Sequence, residues 1–229
     1  MKQQADRQHV LPADIERTSM SIISRELQER GIVLQEENAA VVRRVIHTTA
    51  DFDYAENLHF TDGAVKKTVE KLMAGGSVFI TDTNMALSGV SKPSLKKLDA
   101  RAFCFMADPE IERQAKEQGS TRAVASMAYG ASQYPEAVFA VGNAPTALLK
   151  LEELIEEGLR PSLIIGVPVG FVNVVESKER IFTVCEKYSI PAIVAFGRKG
   201  GSNVAAAISN ALLYTAADTL DPGRRGWQG

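Results

Sequence analysis

Short apolar runs bounded by Gly, Pro or Asp recur along the chain: SVFIT (77–81), AFCFMA (102–107), AVFAVG (137–142), SLIIGV (162–167) and PAIVAFG (191–197). None alternates strictly between apolar and polar positions, which is the pattern of strands buried on both faces. Between them lie helical stretches, PEIERQAKEQG, TRAVASMAYGASQY, TALLKLEELIEEG and ESKERIFTVCEKYS, and a last helix is predicted over 202–217. Strands alternating with helices predict a single α/β domain of three layers, α/β/α, around a mostly parallel sheet.

The N-terminal part is more polar. A helix is predicted over 12–30, ended by Gly31, although residues 1–17 read as a flexible arm. In NAAVVRRVIH (38–47) the apolar positions Val41, Val45 and Ile46 share an inward face, and the helix end delivers His47 to the irregular segment TTADFDYAENLHF. Thr61 or Asp62 is placed to cap a helix running through VKKTVEKLM to Gly75, and residues 219–229 read as a loose tail.

The chain has 229 residues, 45% of them hydrophobic, enough for one well-buried core. Lys plus Arg number 26 against 28 Asp plus Glu, and this balance argues against a nonspecific nucleic-acid binder while permitting a local basic pocket. Cys104 and Cys185 sit inside apolar runs without the spacing of a disulfide framework or a zinc site. With no apolar span or leader pattern, the expected location is the cytoplasm, away from membranes.

Open parallel sheets bind ligands beyond the carboxyl ends of their strands. Here those ends read Thr81-Asp82-Thr83-Asn84, Asp108, GNAPT (142–146), GVPVG (166–170) and GRKGGS (197–202). GRKGGSN joins Arg198 and Lys199 to glycines ahead of a helix start, a favourable place for an anion, though a capped surface turn has the same composition. It lacks the phosphate-loop pattern and GVPVGF lacks the dinucleotide pattern, so nucleotide and flavin sites have little support. Arg122, at the start of a helix after Ser120, suits a carboxylate with its planar donor fork, against the alternative of an ordinary surface arginine. In ESKER only Lys178 is placed to reach inward. His47, beside Arg43 and Arg44, is the candidate acid or base, although a lone histidine is more often structural, and no clustered ligand set accompanies it to hold a metal. These groups suit a polyanionic organic substrate.

Taken together, RVIHTTADFDYA, TDTNMALSGV, GSTRAVA, VGNAPTALLKLEELI, PSLIIGVPVGFVNVVESKE and FGRKGGSNVAAAISNALL closely resemble the precorrin-8X methylmutase family of cobalamin biosynthesis, from about residue 18 to 213. The resemblance implies movement of a methyl group from C11 to C12 of precorrin-8X or cobalt-precorrin-8, giving hydrogenobyrinic or cobyrinic acid. It implies a small cytoplasmic homodimer with no cofactor of its own, cobalt entering only inside the substrate. It also implies that His47, in its protonated form, is the catalytic residue. The polycarboxylate corrinoid would meet Arg122, Arg198 and Lys199, with Thr81, Thr83, Asn84, Ser120 and Asn143 orienting it. The alternatives are a non-catalytic tetrapyrrole carrier on the same fold, and a transferase using GRKGG with a cosubstrate.

Overall fold

Five of the six strands descend from the apolar runs, and their side chains show why those runs do not alternate. The computed structural model describes residues 12–225. Its strands are β1 (Leu58–Phe60), β2 (Val78–Thr81), β3 (Arg101–Phe103), β4 (Val138–Val141), β5 (Leu163–Gly166) and β6 (Ala192–Ala195), in the order β1-β6-β5-β4-β2-β3. All neighbours are parallel except β1, which runs antiparallel to β6. Successive side chains of a strand point to opposite faces. Phe79, Val138, Ala140, Ile165 and Ile193 enter one core, and Val78, Ile80, Phe139, Ile164 and Val194 the other.

The first core is covered by α1 (Pro12–Glu29), α2 (Glu36–Thr49), α4 (Ala64–Met73), α5 (Asn84–Gly89), α6 (Lys92–Lys97) and α11 (Ser202–Ala216). The second lies under α8 (Arg122–Gln133), α9 (Pro145–Glu156) and α10 (Val174–Lys187). The short α3 (Tyr54–Asn57) follows α2, and α7 (Pro109–Glu117) packs beside α8. The three layers match the expected architecture. No described helix is long and apolar enough to cross a membrane.

Several local expectations are corrected. β3 ends at Phe103 instead of running through 107, because it is an edge strand paired only with β2 and Phe105 turns aside to meet Tyr129 edge-on at 4.9 Å. Thr61 does not cap α4, whose N-cap is Gly63. Its hydroxyl is used by the sheet, accepting from Ala192 N at 2.8 Å and donating to Ile190 O at 3.1 Å. Residues 12–17 form the opening of α1 and not an arm, and residues 219–225 pack onto the body, with Thr219 buried and a 3-10 turn at Pro222–Arg225. The remainders of the expected arm and tail, 1–11 and 226–229, lie outside the described residues.

Strand order reverses between β2 and β4, since β3 lies on one side of β2 and β4 on the other. Asp82, directly after β2 and fully buried, fills that crevice. Its carboxylate accepts the backbone N–H groups of Gly142 at 2.9 Å and of Asn143 and Ala144 at 2.8 Å each. Burial pushes the Asp82 carboxyl up, while the three N–H donors pull the other way. Removing the acceptor strands three donors in the interior, each costing about 1–3 kcal/mol. Asp82→Ala should therefore lower unfolding stability by about 3 kcal/mol or more, read as the denaturant midpoint; an unchanged midpoint would refute this role.

Candidate active site

The helix N-termini of α5, α9 and α11 converge around Asp82 at the carboxyl ends of the strands. Thr83 caps α5 by accepting from Ala86 N at 3.0 Å, and its hydroxyl lies 2.7 Å from that of Ser202 at the start of α11. The backbones press together here, since a Cβ on Gly142 would sit 2.7 Å from Ser202 Cα. A Cβ on Gly200 would fall 2.1 Å from Val167 O, so the loops after β5 and β6 touch as well. The neighbouring start of α8 joins through Thr121, whose hydroxyl is 3.3 Å from that of Thr146 on α9.

The candidates expected at this mouth divide into two groups. Asn84, Arg122, Asn143 and Arg198 are exposed, and neither arginine has an ion-pair partner among the described residues. Arg198 lies 5.4 Å from the ring centre of Phe171, a largely exposed side chain on the loop after β5. The others serve the protein itself. Thr81 is fully buried and donates to Thr83 O at 3.0 Å, Thr83 is a cap, and the Ser120 Oγ is buried without a partner. Lys199, expected to meet substrate, is held by two internal carboxylates, Asp51 Oδ2 and Asp53 Oδ2, each at 2.6 Å. The backbone N–H groups of Gly142, Asn143 and Ala144, ahead of α9, are taken by Asp82.

Lys199 thereby ties the turn after α2 to the loop after β6, and α2 carries His47 in its last turn. Residues three or four apart share a helix face, so Ala40, Arg43, Arg44 and His47 form one stripe. Ala40, Arg43 and Arg44 line an open groove of about 490 Å³ with Ser21 and Ser24 of α1 and Leu220. The Arg43 Nε within this region is buried and has no hydrogen-bond partner.

Beneath this stripe lies a charge cluster built from distant segments. Glu16 accepts from Arg44 Nη2 at 2.6 Å, and from Arg225 Nη1 at 2.8 Å on both of its oxygens. Arg225 also donates to Thr219 O and Leu220 O and stacks 3.8 Å from the Tyr214 ring centre. The two arginines keep only 11% and 9% of their side-chain surface exposed. Half-buried His47 is held below its ordinary value, first by burial, then by Arg44; Glu16 pulls it up and Arg225 down. Burial and the neighbouring arginines thus disfavour the imidazolium in the free protein, so the protonated form expected of His47 as an acid needs a source of negative charge.

Sequence reasoning missed Glu16, Asp82 and Arg225 as site-forming residues. Asp82 stood within a strand-end motif, but nothing in its neighbourhood identifies partners sixty residues away. His59, read as a residue of a plain turn, lies in β1 with its ring 4.1 Å from that of Phe196. Both cysteines are free, and no group of three or more His, Cys, Asp or Glu that could hold a metal occurs among the described residues.

The family model for precorrin-8X methylmutase matches residues 14–215. Cobalt-precorrin-8 methylmutase of Leptospira interrogans is 43% identical over 213 residues, covering 90% of this chain and 95% of the relative. The Salmonella typhimurium protein of the same name is 42% identical, covering 89% and 95%. A solved structure of precorrin-8x methyl mutase from Thermus thermophilus superposes with a TM-score of 0.78 at 38% identity, covering 89% of this chain and 98% of that one.

The charge cluster makes opposite predictions for its members. Glu16→Gln should lower the His47 titration midpoint further and Arg225→Ala should raise it, both followed by NMR of the imidazole. Each should also cost about 1–3 kcal/mol, less than a fully buried pair because Glu16 keeps 20% of its side-chain surface. Shifts of the same sign in both variants would contradict this electrostatic assignment.

Proposed function

The chain belongs to the precorrin-8X methylmutase family, and on that premise we propose how its own residues move a methyl group within a precorrin-8 macrocycle. The activity is an intramolecular methyl transfer in the making of cobyrinic acid, an isomerisation. The reading of the site rests above all on one observation, that His47 lies one turn beyond Arg43 and Arg44 on α2, and those two arginines line a groove between α1 and α2.

The substrate brings several carboxylates. Arg43, Arg122 and Arg198, which lack ion-pair partners among the described residues, are the groups suited to receive them, with Asn84 and Asn143 as further donors. Lys199 leaves that set because Asp51 and Asp53 already neutralise it. Negative charge arriving near His47 favours the imidazolium, reversing the effect of burial and of Arg44. The protonated ring then donates to a pyrrole-type nitrogen near C11 and withdraws electron density from the conjugated system. The C11–methyl bond breaks as the C12–methyl bond forms, suprafacially. Loss of a proton from the macrocycle balances the one gained, and the product is an isomer. The protein supplies an acid, a fixed cavity and matched charge.

Cobalt-precorrin-8 is the substrate to test first, since the Leptospira interrogans and Salmonella typhimurium relatives, each more than 40% identical, carry that name. Any cobalt is part of the substrate. A cytoplasmic homodimer, acting on no nucleic acid and no membrane, completes the proposal and rests on the family resemblance. A carrier on the same fold would bind the macrocycle and return it unchanged.

Removal of the acid by His47→Ala should cut kcat by on the order of 10²- to 10⁴-fold with the fold intact. The pH profiles add a sharper test. The profile of kcat/KM reports the free protein and should show a midpoint below the ordinary histidine value of about 6.5, while the profile of kcat reports the complex and should show a higher one. Activity should fall as pH rises through each midpoint, because the charged form is the donor. Coincident midpoints would remove substrate-driven protonation. Arg198→Ala should raise KM about tenfold or more, the worth of one charge-assisted hydrogen bond, with a smaller change in kcat; an unaltered KM would take Arg198 out of the site.

A further inference from the structure

Among the described residues Lys178 is a lysine with no exposed surface at all. It projects from α10 beneath the turn after β6, where its ammonium donates to Gly197 O at 2.9 Å and Lys199 O at 2.8 Å. Those two carbonyls flank Arg198. Burying an ammonium is costly, and satisfying two carbonyls of a surface turn does not by itself require one, because water does the same. The cation instead gives the turn a fixed underside.

From that turn a second set of bonds runs to α2. Lys199 Nζ reaches Asp51 and Asp53, the Asp51 N–H donates to Thr49 Oγ1 at 3.3 Å, and the Asp53 N–H donates to Asp51 Oδ1 at 3.0 Å. Between them Ala50 is left-handed, at φ 54°, with its N–H donating to Ile46 O at 2.7 Å. A β-carbon residue in that conformation is held by its surroundings, not by its own preference. Ala50 is the C-cap of α2, and the residue after it, Asp51, is held by Lys199, whose own carbonyl is held from below by Lys178.

We propose that Lys178 is a positioning residue for the methyl transfer, fixing Arg198 directly and the His47 end of α2 through Lys199 and Asp51. The inference rests on the reading of His47 as the acid, yet its structural part can be tested without substrate. Burial pushes the Lys178 amine down to about 8, in keeping with a cation retained at a cost.

The test compares Lys178→Met with the wild type by NMR, reading the His47 imidazole resonance and the hydrogen exchange of the Ala50 amide, and then measures turnover. The expected result is a displaced His47 resonance, Ala50 exchange faster by about tenfold or more, and kcat/KM lower by about tenfold or more, since misplacing a catalytic group by about 1 Å has effects up to 10²-fold. A folded variant in which the resonance stays in place and the Ala50 exchange is no faster, relative to amides of the central strands that report overall stability, overturns the proposal. Should Lys178→Met not fold, Lys199→Gln cuts the same chain at an exposed side chain, and an unmoved Ala50 exchange there overturns it equally. A displaced His47 resonance with undiminished turnover would keep the structural linkage and overturn the positioning role of Lys178 in the methyl transfer, while the His47→Ala variant tests the catalytic reading separately.

Discussion

The arrangement of the whole carboxyl edge depends on the buried carboxylate of Asp82. At the reversal of strand order, where an open parallel sheet presents free N–H groups to a ligand, this protein supplies its own anion. The loop after β4 is thereby fixed against β2, and the starts of α5, α9 and α11 are drawn to one place. The position that binds phosphate in nucleotide enzymes is already filled. Ligand chemistry is left to the groups around it, the exposed arginines of the rim and the groove beside α2.

The same economy governs charge near His47. Glu16 comes from the start of the described chain, Arg44 from α2 and Arg225 from the described end, and together they form a cluster with one more positive charge than negative. That excess, added to burial, disfavours the imidazolium. In the proposed reaction a ligand rich in carboxylates would correct the imbalance on arrival, making binding and protonation of His47 one electrostatic event. A neutral macrocycle of the same shape would lack this effect.

The fold was largely legible because strands buried on both faces must be apolar throughout, and these runs are short, bounded by Gly, Pro or Asp, and alternate with helical stretches. β1 escaped notice because three residues, one of them His59, carry no such pattern, and its existence depends on β6, over a hundred residues away. The site was legible only in part. Arg122 and Arg198 are exposed without ion-pair partners among the described residues, but Lys199 and Thr81, from the same motifs, are engaged by the protein itself, Lys199 by Asp51 and Asp53 and Thr81 by Thr83 O. The deciding contacts, such as Lys199 with Asp51 across 148 positions, are long-range and leave no mark on local sequence. Residues 12–17 and 219–225 were misread for the same reason. A polar head and an Arg-rich tail look unstructured until Glu16 and Arg225 are seen paired with each other.

The most direct test of the account is anaerobic incubation of the protein with cobalt-precorrin-8, and in parallel with metal-free precorrin-8, each carrying a ¹³C label in the C11 methyl. NMR then locates the label. The account predicts that it appears on C12 in at least one of the two, without any added cosubstrate. Tight binding of both with the label still on C11 would contradict it and leave a carrier in its place.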